Sequence, residues 1–218
     1  MLRINVVTIF PDFFAAPLAL SIPARARDAG AVEYRVVDLR DFTHDRHRTV
    51  DDAPYGGGPG MVMKPGPFFE AVESLGATAP IVLMSARGAP FRHADAVRFS
   101  EGTELTLLCG HYKDVDQRVA DFLATEEISL GDFVLSGGEP AALAVVDATV
   151  RLLPGAMSDL DSARTDSFYE RELSAPSYTR PPVYRDHGVP EVLLSGDHKK
   201  IAEWREEQGR RLSGRRKP

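Results

Sequence analysis

The spacing of apolar positions changes along the chain, and the changes mark an alternation of strands and helices. Leu2–Ile9 (LRINVVTI) is a nearly continuous apolar run and reads as a buried strand. Asp12 then stands at an N-cap position, and helical content runs to Asp28 with Gly30 closing it. Val32, Tyr34 and Val36 alternate with Glu33 and Arg35, which predicts a second strand over Val32–Leu39. Pro80–Ser85 (PIVLMS) and Glu104–Cys109 (ELTLLC) are short apolar runs followed by turn signals, and each precedes a helix, near His93–Ser100 and Val115–Leu123. Ile128–Leu135 is extended and interrupted by Gly131. Glu139–Leu153 is the clearest helix, with Pro140 in its first turn and Pro154-Gly155 behind it. This alternation predicts an α/β fold on a mostly parallel sheet with both faces covered. From Pro154 to about Thr179 the periodicity fades and Ser, Asp, Arg and Thr take over, which predicts an interdomain linker. A small C-terminal unit follows, with Pro181-Pro182 and a basic helix carrying Ile201, Trp204 and Leu212.

The 218 residues suffice for one large domain or two small ones without disulfide or metal support. With 43% hydrophobic and 27% charged residues, the chain is not a disordered one. No apolar run approaches the length of a spanning helix, and Pro11 and Asp12 cut off the first strand too soon for a secretory signal, so no membrane partner is expected. The single cysteine, Cys109, fits a reducing, cytoplasmic setting and ends an apolar strand, where a buried inert thiol is expected rather than a nucleophile. The net charge of -6 is unevenly spread: residues 199–218 hold eight Lys or Arg against three Glu, +5, leaving -11 on the first 198 residues. Such a tail can contact a polyanion; it is also what a solvated terminus looks like.

Several chemistries are excluded by inspection. There is no GxGxxG, and the glycine run Gly56–Gly60 is not followed by the Lys-Ser/Thr of a P-loop. HExxH and GxSxG are missing, and one cysteine cannot build a zinc-thiolate site. Three segments are nonetheless specialised. Arg40–Gly60 (RDFTHDRHRTVDDAPYGGGPG) packs Arg40, Arg46 and Arg48 with His44 and His47 beside four aspartates and a glycine loop. Phosphate or RNA contact suits this segment better than a metal, since two histidines alone are a poor ligand set. Three glycine-bearing loops, Ser85–Gly88, Gly110–Lys113 and Gly131–Gly138, follow successive strands. Ligands of open α/β sheets sit beyond the carboxyl ends of strands, and glycines there bare backbone groups able to read an adenine. The third segment is the polar stretch Ser162–Ser167 (SARTDS), downstream of Arg151. Aspartates in such loops serve catalysis in some proteins and are merely solvated in others.

Together these segments resemble the TrmD family of bacterial tRNA (guanine-N(1))-methyltransferases, within the knotted SPOUT superfamily. The resemblance rests on Phe10-Pro11, Arg40–Gly60, Cys109–Tyr112, Asp116, Arg118-Val119 and Leu130–Glu139 (LGDFVLSGGE). It continues through Arg151 with Pro154-Gly155, Thr165–Phe168, Tyr178–Pro181 and Val192–His198. It implies a methyltransferase domain over residues 1–157 with a deep trefoil knot in its C-terminal part, about residues 83–140. A linker over 158–172 and a small helical tRNA-binding domain over 173–218 would complete the chain. The knot loops would hold S-adenosylmethionine through Leu83, Met84, Ala86, Gly110, Tyr112, Leu130, Gly131, Asp132, Phe133, Val134, Leu135, Gly137 and Gly138. Arg46, Arg48, Ser162, Ser167 and Arg180 would contact the tRNA anticodon stem-loop. The implied assembly is a homodimer with active sites between subunits.

The implied substrate is the guanine immediately 3′ of the anticodon, preceded by another guanine. Its ring nitrogen 1 must lose a proton before it can attack a methyl group. In the resemblance Asp166 takes that proton, Arg151 stabilises charge on the neighbouring oxygen, and Mg2+ assists with no dedicated protein ligand set. Asp is a weak base, with a free pKa of about 3.9, so it needs help from its surroundings. Three departures stand out. Lys113-Asp114 replaces a Glu-Gly common after the tyrosine, so the carboxylate expected near the cofactor's amino group is missing there. Pro140 stands one residue earlier than in many relatives, and the C-terminus is shorter than in many. Other readings of the same residues are a SPOUT enzyme acting at a different RNA position, or an RNA-binding relative without catalysis.

Overall fold

Each apolar run of the N-terminal part becomes a parallel strand. The computed structural model describes residues 1–157, 166–169 and 173–215. The chain divides into two compact units, Met1–Ser158 and Asp159–Pro218. The first opens with β1 (Leu2–Thr8), α1 (Asp12–Leu18), α2 (Ser21–Asp28) and β2 (Val32–Asp38). Then come β3 (Asp51–Asp52), β4 (Val62–Met63), α3 (Pro65–Leu75), β5 (Ile81–Pro90) and α4 (His93–Ser100). It finishes with β6 (Glu104–Cys109), β7 (Asp114–Val115), α5 (Gln117–Phe122), β8 (Glu126–Ser129) and α6 (Glu139–Val150).

The main sheet has the order β2-β1-β6-β5-β8, and its pairs are parallel throughout. Period-two alternation sends Leu2, Ile4 and Val6 of β1 into one core, with Phe14, Phe99, Val145 and Val146. Val7 joins the other, with Leu83, Leu108, Phe68 and Val72 from the opposite face. Both faces are thus covered, as parallel sheets require. Burying the three phenylalanines alone, Phe14, Phe68 and Phe99, each at most 1% exposed, contributes roughly 1.5–3 kcal/mol apiece.

Several boundaries differ from the sequence expectation for identifiable reasons. The helix expected from Asp12 to Asp28 is two helices. A continuous one would bury Pro23, which lacks an N–H, in its interior; the break at Ala19-Leu20 places it in the first turn of α2. The strand expected to stop at Ser85 runs to Pro90, but Ser85–Gly88 arches out of register, so Met84 and Ala89 both face Ile128 of β8. Gly88 permits the return, because a Cβ there would stand 2.4 Å from the Ile128 backbone nitrogen. Val115 belongs to β7, paired with Met63, and α5 begins only after Asp116, whose side chain accepts the Arg118 N–H at 3.0 Å. Helix α6 ends at Val150 rather than Leu153. The β3-β4-β7 sheet and α3 were not anticipated.

Within the second unit, β9 (Val183–Tyr184) and β10 (His187–Gly188) form a hairpin, turned by Arg185 and Asp186 at φ of 47° and 66°. α7 (Glu191–Leu194) and α8 (His198–Ser213) follow, and α8 carries the predicted Ile201, Trp204 and Leu212. Asp197 caps α8 by accepting the Lys200 N–H at 3.1 Å. Tyr178 and Trp204 lie 6.4 Å apart, ring centre to ring centre. The expected 158–172 linker falls mostly outside the described residues.

Candidate functional site

Beyond the carboxyl ends of β5, β6 and β8 lies a pocket of about 280 Å³. Three chain segments build it, and all three were singled out as glycine loops. The first is the end of β5, where Leu83, Met84 and Ala86 line the wall along with Ser85 and Arg87. Gly110 and Tyr112 contribute from the second, after β6, with His111, Lys113 and Asp114. The third supplies Leu130, Gly131, Phe133, Val134, Leu135, Gly137 and Gly138. Among the residues expected to hold a cofactor, Asp132 is not part of the lining.

Close backbone packing fixes the shape. The Gly138 N–H donates to the Gly110 carbonyl at 2.8 Å, and a Cβ on Gly138 would come within 2.8 Å of the Cys109 Cα. At Gly110 a Cβ would meet the Val115 side chain at 2.6 Å. These glycines let two loops touch where any side chain would part them. By contrast Phe133, Val134 and Leu135 are 56%, 97% and 40% exposed, apolar side chains grouped at the pocket.

The electrostatics come from residues that spacing along the chain does not connect. The Arg87 guanidinium donates to both Asp114 oxygens, at 2.8 and 3.1 Å, and these hydrogen bonds hold its pKa above the usual arginine value. Buried Glu139, in the first turn of α6, accepts the Thr8 hydroxyl at 2.7 Å. Its other oxygen lies 3.8 Å from Nδ1 of His111, whose ring meets those of Phe10 and Tyr112 edge-on. Cys109 is fully buried, and that burial, with the Glu139 charge beside it, pushes its thiol pKa well up, as suits an inert cysteine. Arg87, Asp114, His111 and Glu139 were not picked out as site residues. Only the fold brings residue 87 beside 114 and residue 111 beside 139.

The remaining candidates are placed as follows. Arg46 is exposed on the turn after Asp45. Arg48, at φ 53°, is ion-paired with Asp41 and lies 3.7 Å from Asp38. His44 bonds Glu70 at 2.8 Å. Arg151 is the C-cap of α6 in the first unit. Asp166 and Ser167 belong to the second unit, where the Ser167 hydroxyl accepts the Ser174 N–H at 3.0 Å. Arg180 is exposed. Ser162 lies outside the described residues.

The sequence model of the family described as tRNA (Guanine-1)-methyltransferase TrmD matches residues 2–218. A curated tRNA (guanine-N(1)-)-methyltransferase of Gloeobacter violaceus is 50% identical, over all of this chain and 97% of that protein. Proteins with the same description from Synechococcus sp. (strain JA-3-3Ab) and Geobacillus kaustophilus are 48% and 46% identical, over all of this chain and 87% and 90% of theirs. A match over the whole chain, on a parallel sheet whose glycine loops enclose one pocket, places this protein in the TrmD family of tRNA (guanine-1)-methyltransferases.

Proposed function

We propose that the protein methylates ring nitrogen 1 of the guanine immediately 3′ of a tRNA anticodon, preferring a preceding guanine, with S-adenosylmethionine as the methyl donor. The observation that carries this reading is the pocket at the carboxyl edge of the sheet, in a chain matched to the family from residue 2 to residue 218. The residues present fit the cofactor. Glycine loops offer backbone groups to an adenine edge, exposed Phe133, Val134 and Leu135 offer apolar cover, and Lys113 brings a positive charge for an amino-acid end. Bound S-adenosylmethionine supplies a methyl group activated on a sulfonium. Asp166 accepts the guanine N1 proton, so that the nitrogen lone pair can form the new bond to carbon as the carbon–sulfur bond breaks. Arg151 neutralises the charge that gathers on the neighbouring oxygen. Among the described residues no group of three or more His, Cys, Asp or Glu side chains could hold a metal, and the reading assigns Mg2+ no protein ligand.

The same reading takes the pocket loops as the threaded part of a deep trefoil knot, the region after about residue 158 as linker and tRNA-binding domain, and the active unit as a homodimer. Helix geometry supports the dimer. Ala141 lines the pocket near the start of α6, while Arg151 caps its far end. Ten residues of helix span roughly 15 Å, about twice the reach of an arginine side chain. On this reading Arg151 serves the pocket of a second copy. Among the described residues no helix is long and apolar enough to cross a membrane.

The test is transfer of labelled methyl from S-adenosylmethionine to tRNA transcripts with Mg2+, the transcripts differing only in whether the anticodon's 3′ neighbour is guanine. N(1)-methylguanine in that transcript alone is the expected product. Transfer to a different position would favour another SPOUT specificity, and absence of transfer despite cofactor binding would favour an RNA-binding relative.

A further inference from the structure

The three basic residues lining the pocket, Arg87, His111 and Lys113, are not equivalent. Arg87 is engaged in both hydrogen bonds of its fork with Asp114. His111 turns Nδ1 toward buried Glu139. Lys113 is exposed on the same lining, and among the described residues its ammonium has no carboxylate within ion-pair distance. Its stem is nevertheless held. The Lys113 N–H donates to the Met61 carbonyl at 3.1 Å, and Tyr112 turns the chain just before it at φ 61°. A Cβ on Gly60 would stand 3.2 Å and 3.3 Å from the Lys113 Cβ and Cδ, and one on Gly58 would stand 3.9 Å from Nζ. Both glycines have positive φ, 91° and 114°. The lysine stem thus lies against Gly60, where a side chain would crowd it, and its ammonium lies near Gly58.

We propose that Lys113 determines specificity at the methionine end of the cofactor: its ammonium recognises the α-carboxylate. This rests on the pocket being the S-adenosylmethionine site. An amino-acid end presents one carboxylate and one ammonium, and Lys113 is the lining cation whose charge is not already opposed by a carboxylate. A lysine whose stem already rests against Gly60 forms a charge-assisted hydrogen bond at less entropic cost than a free surface lysine.

The experiment is calorimetric titration of the full chain with S-adenosylmethionine and with its decarboxylated analogue, which differs only in lacking that carboxylate. Lys113→Met should weaken S-adenosylmethionine about five- to tenfold and change the analogue by less than about twofold. Lys113→Arg should restore most of the loss. Gly60→Ala, which crowds the lysine stem, should give the same carboxylate-selective defect. Equal weakening of both ligands by Lys113→Met would overturn the proposal by making the lysine structural, and no weakening of either would remove it from the ligand. Failure of the wild-type chain to bind either ligand would overturn the reading of the pocket itself, an outcome distinct from both.

Discussion

Glu104 and Glu139 are both buried carboxylates, 8% and 3% exposed, one on the central sheet and one in the first turn of α6, and they are treated very differently. Glu104 opens β6 at the amino end. One of its oxygens accepts the Thr78 N–H and hydroxyl at 2.9 and 2.7 Å, and the other accepts the Asn5 amide at 3.1 Å with Arg3 at 3.7 Å. Glu139 stands at the carboxyl end with the Thr8 hydroxyl on one oxygen and, among the described residues, only the distant His111 nitrogen facing the other. His111 Nδ1 is itself buried without a hydrogen-bond partner among the described residues. Both Glu104 oxygens are satisfied, although Asn5 Oδ1 beside them is buried without a hydrogen-bond partner among the described residues, whereas the carboxyl end leaves His111 Nδ1 unpartnered and Phe133, Val134 and Leu135 exposed around a pocket. Unmet polar demands and exposed apolar side chains that converge on a pocket mark a binding site, whereas a fully engaged carboxylate marks scaffold.

Substitutions should therefore separate activity from stability according to the end they touch. The largest effects belong to the proposed chemistry. Asp166→Ala should lower the turnover number by about 10²- to 10⁴-fold and Arg151→Ala by about 10²- to 10³-fold, each with cofactor affinity nearly intact. Equal loss of affinity and turnover would make these structural residues. A mixture of two inactive chains sharpens the point. Ala86→Trp should fill the pocket while leaving Arg151 in place. Mixed in equal amounts with Arg151→Ala and refolded together, it should regain about a quarter of wild-type activity, since half the dimers would hold one complete site. An inactive mixture that still forms mixed dimers would mean that Arg151 works within its own chain.

At the amino end the pattern should invert. Glu104→Ala strands the Thr78 and Asn5 donors in a buried setting, which should cost about 3 kcal/mol and lower the melting temperature by roughly 6–12 °C. Cofactor affinity should change by less than about twofold at temperatures where the variant is folded. The carboxylate also has a defined pH signature. Burial alone would raise its pKa, but the Thr78 and Asn5 hydrogen bonds and the Arg3 charge outweigh that and hold it below the ordinary glutamate value. A depressed folded value means that the stabilisation is complete above the unfolded pKa and is lost as pH falls through the folded one. The melting-temperature gap between wild type and Glu104→Gln should accordingly be widest near neutral pH and close below about pH 4. A gap independent of pH would show that the hydrogen bonds, not the charge, set the difference.

Much of this contrast is invisible along the sequence. β6 and α4 match their expected limits because a continuous apolar run or a clear punctuation point is local information. The three glycine loops were legible for a similar reason, since each follows a strand and the edge rule for parallel sheets does the rest. The arch of Ser85–Gly88 was not, because it depends on the register of β5 against β8, some forty residues on. Two-residue strands such as β3, β4 and β7 carry no period to read. Glu104 meets Asn5 across about a hundred residues, so its network belongs to the folded chain alone. The roles given to Asp166 and Arg151 came from resemblance, and nothing in the local pattern of either residue would have supplied them.

The smallest expected effect tests whether the open end tolerates the loss of its own ion pair. Arg87 and Asp114 join the arch after β5 to β7, but their side chains are 53% and 41% exposed. Solvent screens such a pair, so its contribution to stability should stay below about 1 kcal/mol even with two hydrogen bonds. Arg87→Gln should shift the melting temperature by no more than roughly 2–4 °C. Its effect on cofactor affinity should be larger in proportion, about two- to fivefold, because the pair sets the spacing of two pocket walls and its loss frees Asp114 to face Lys113. Half-molar salt should shrink the difference between Arg87→Gln and wild type, since exposed pairs weaken once the screening length falls to a few ångströms. A salt-independent loss comparable to that of Glu104→Ala would mean that this end of the sheet is as firmly built as the other, and the contrast between the two carboxylates would fail.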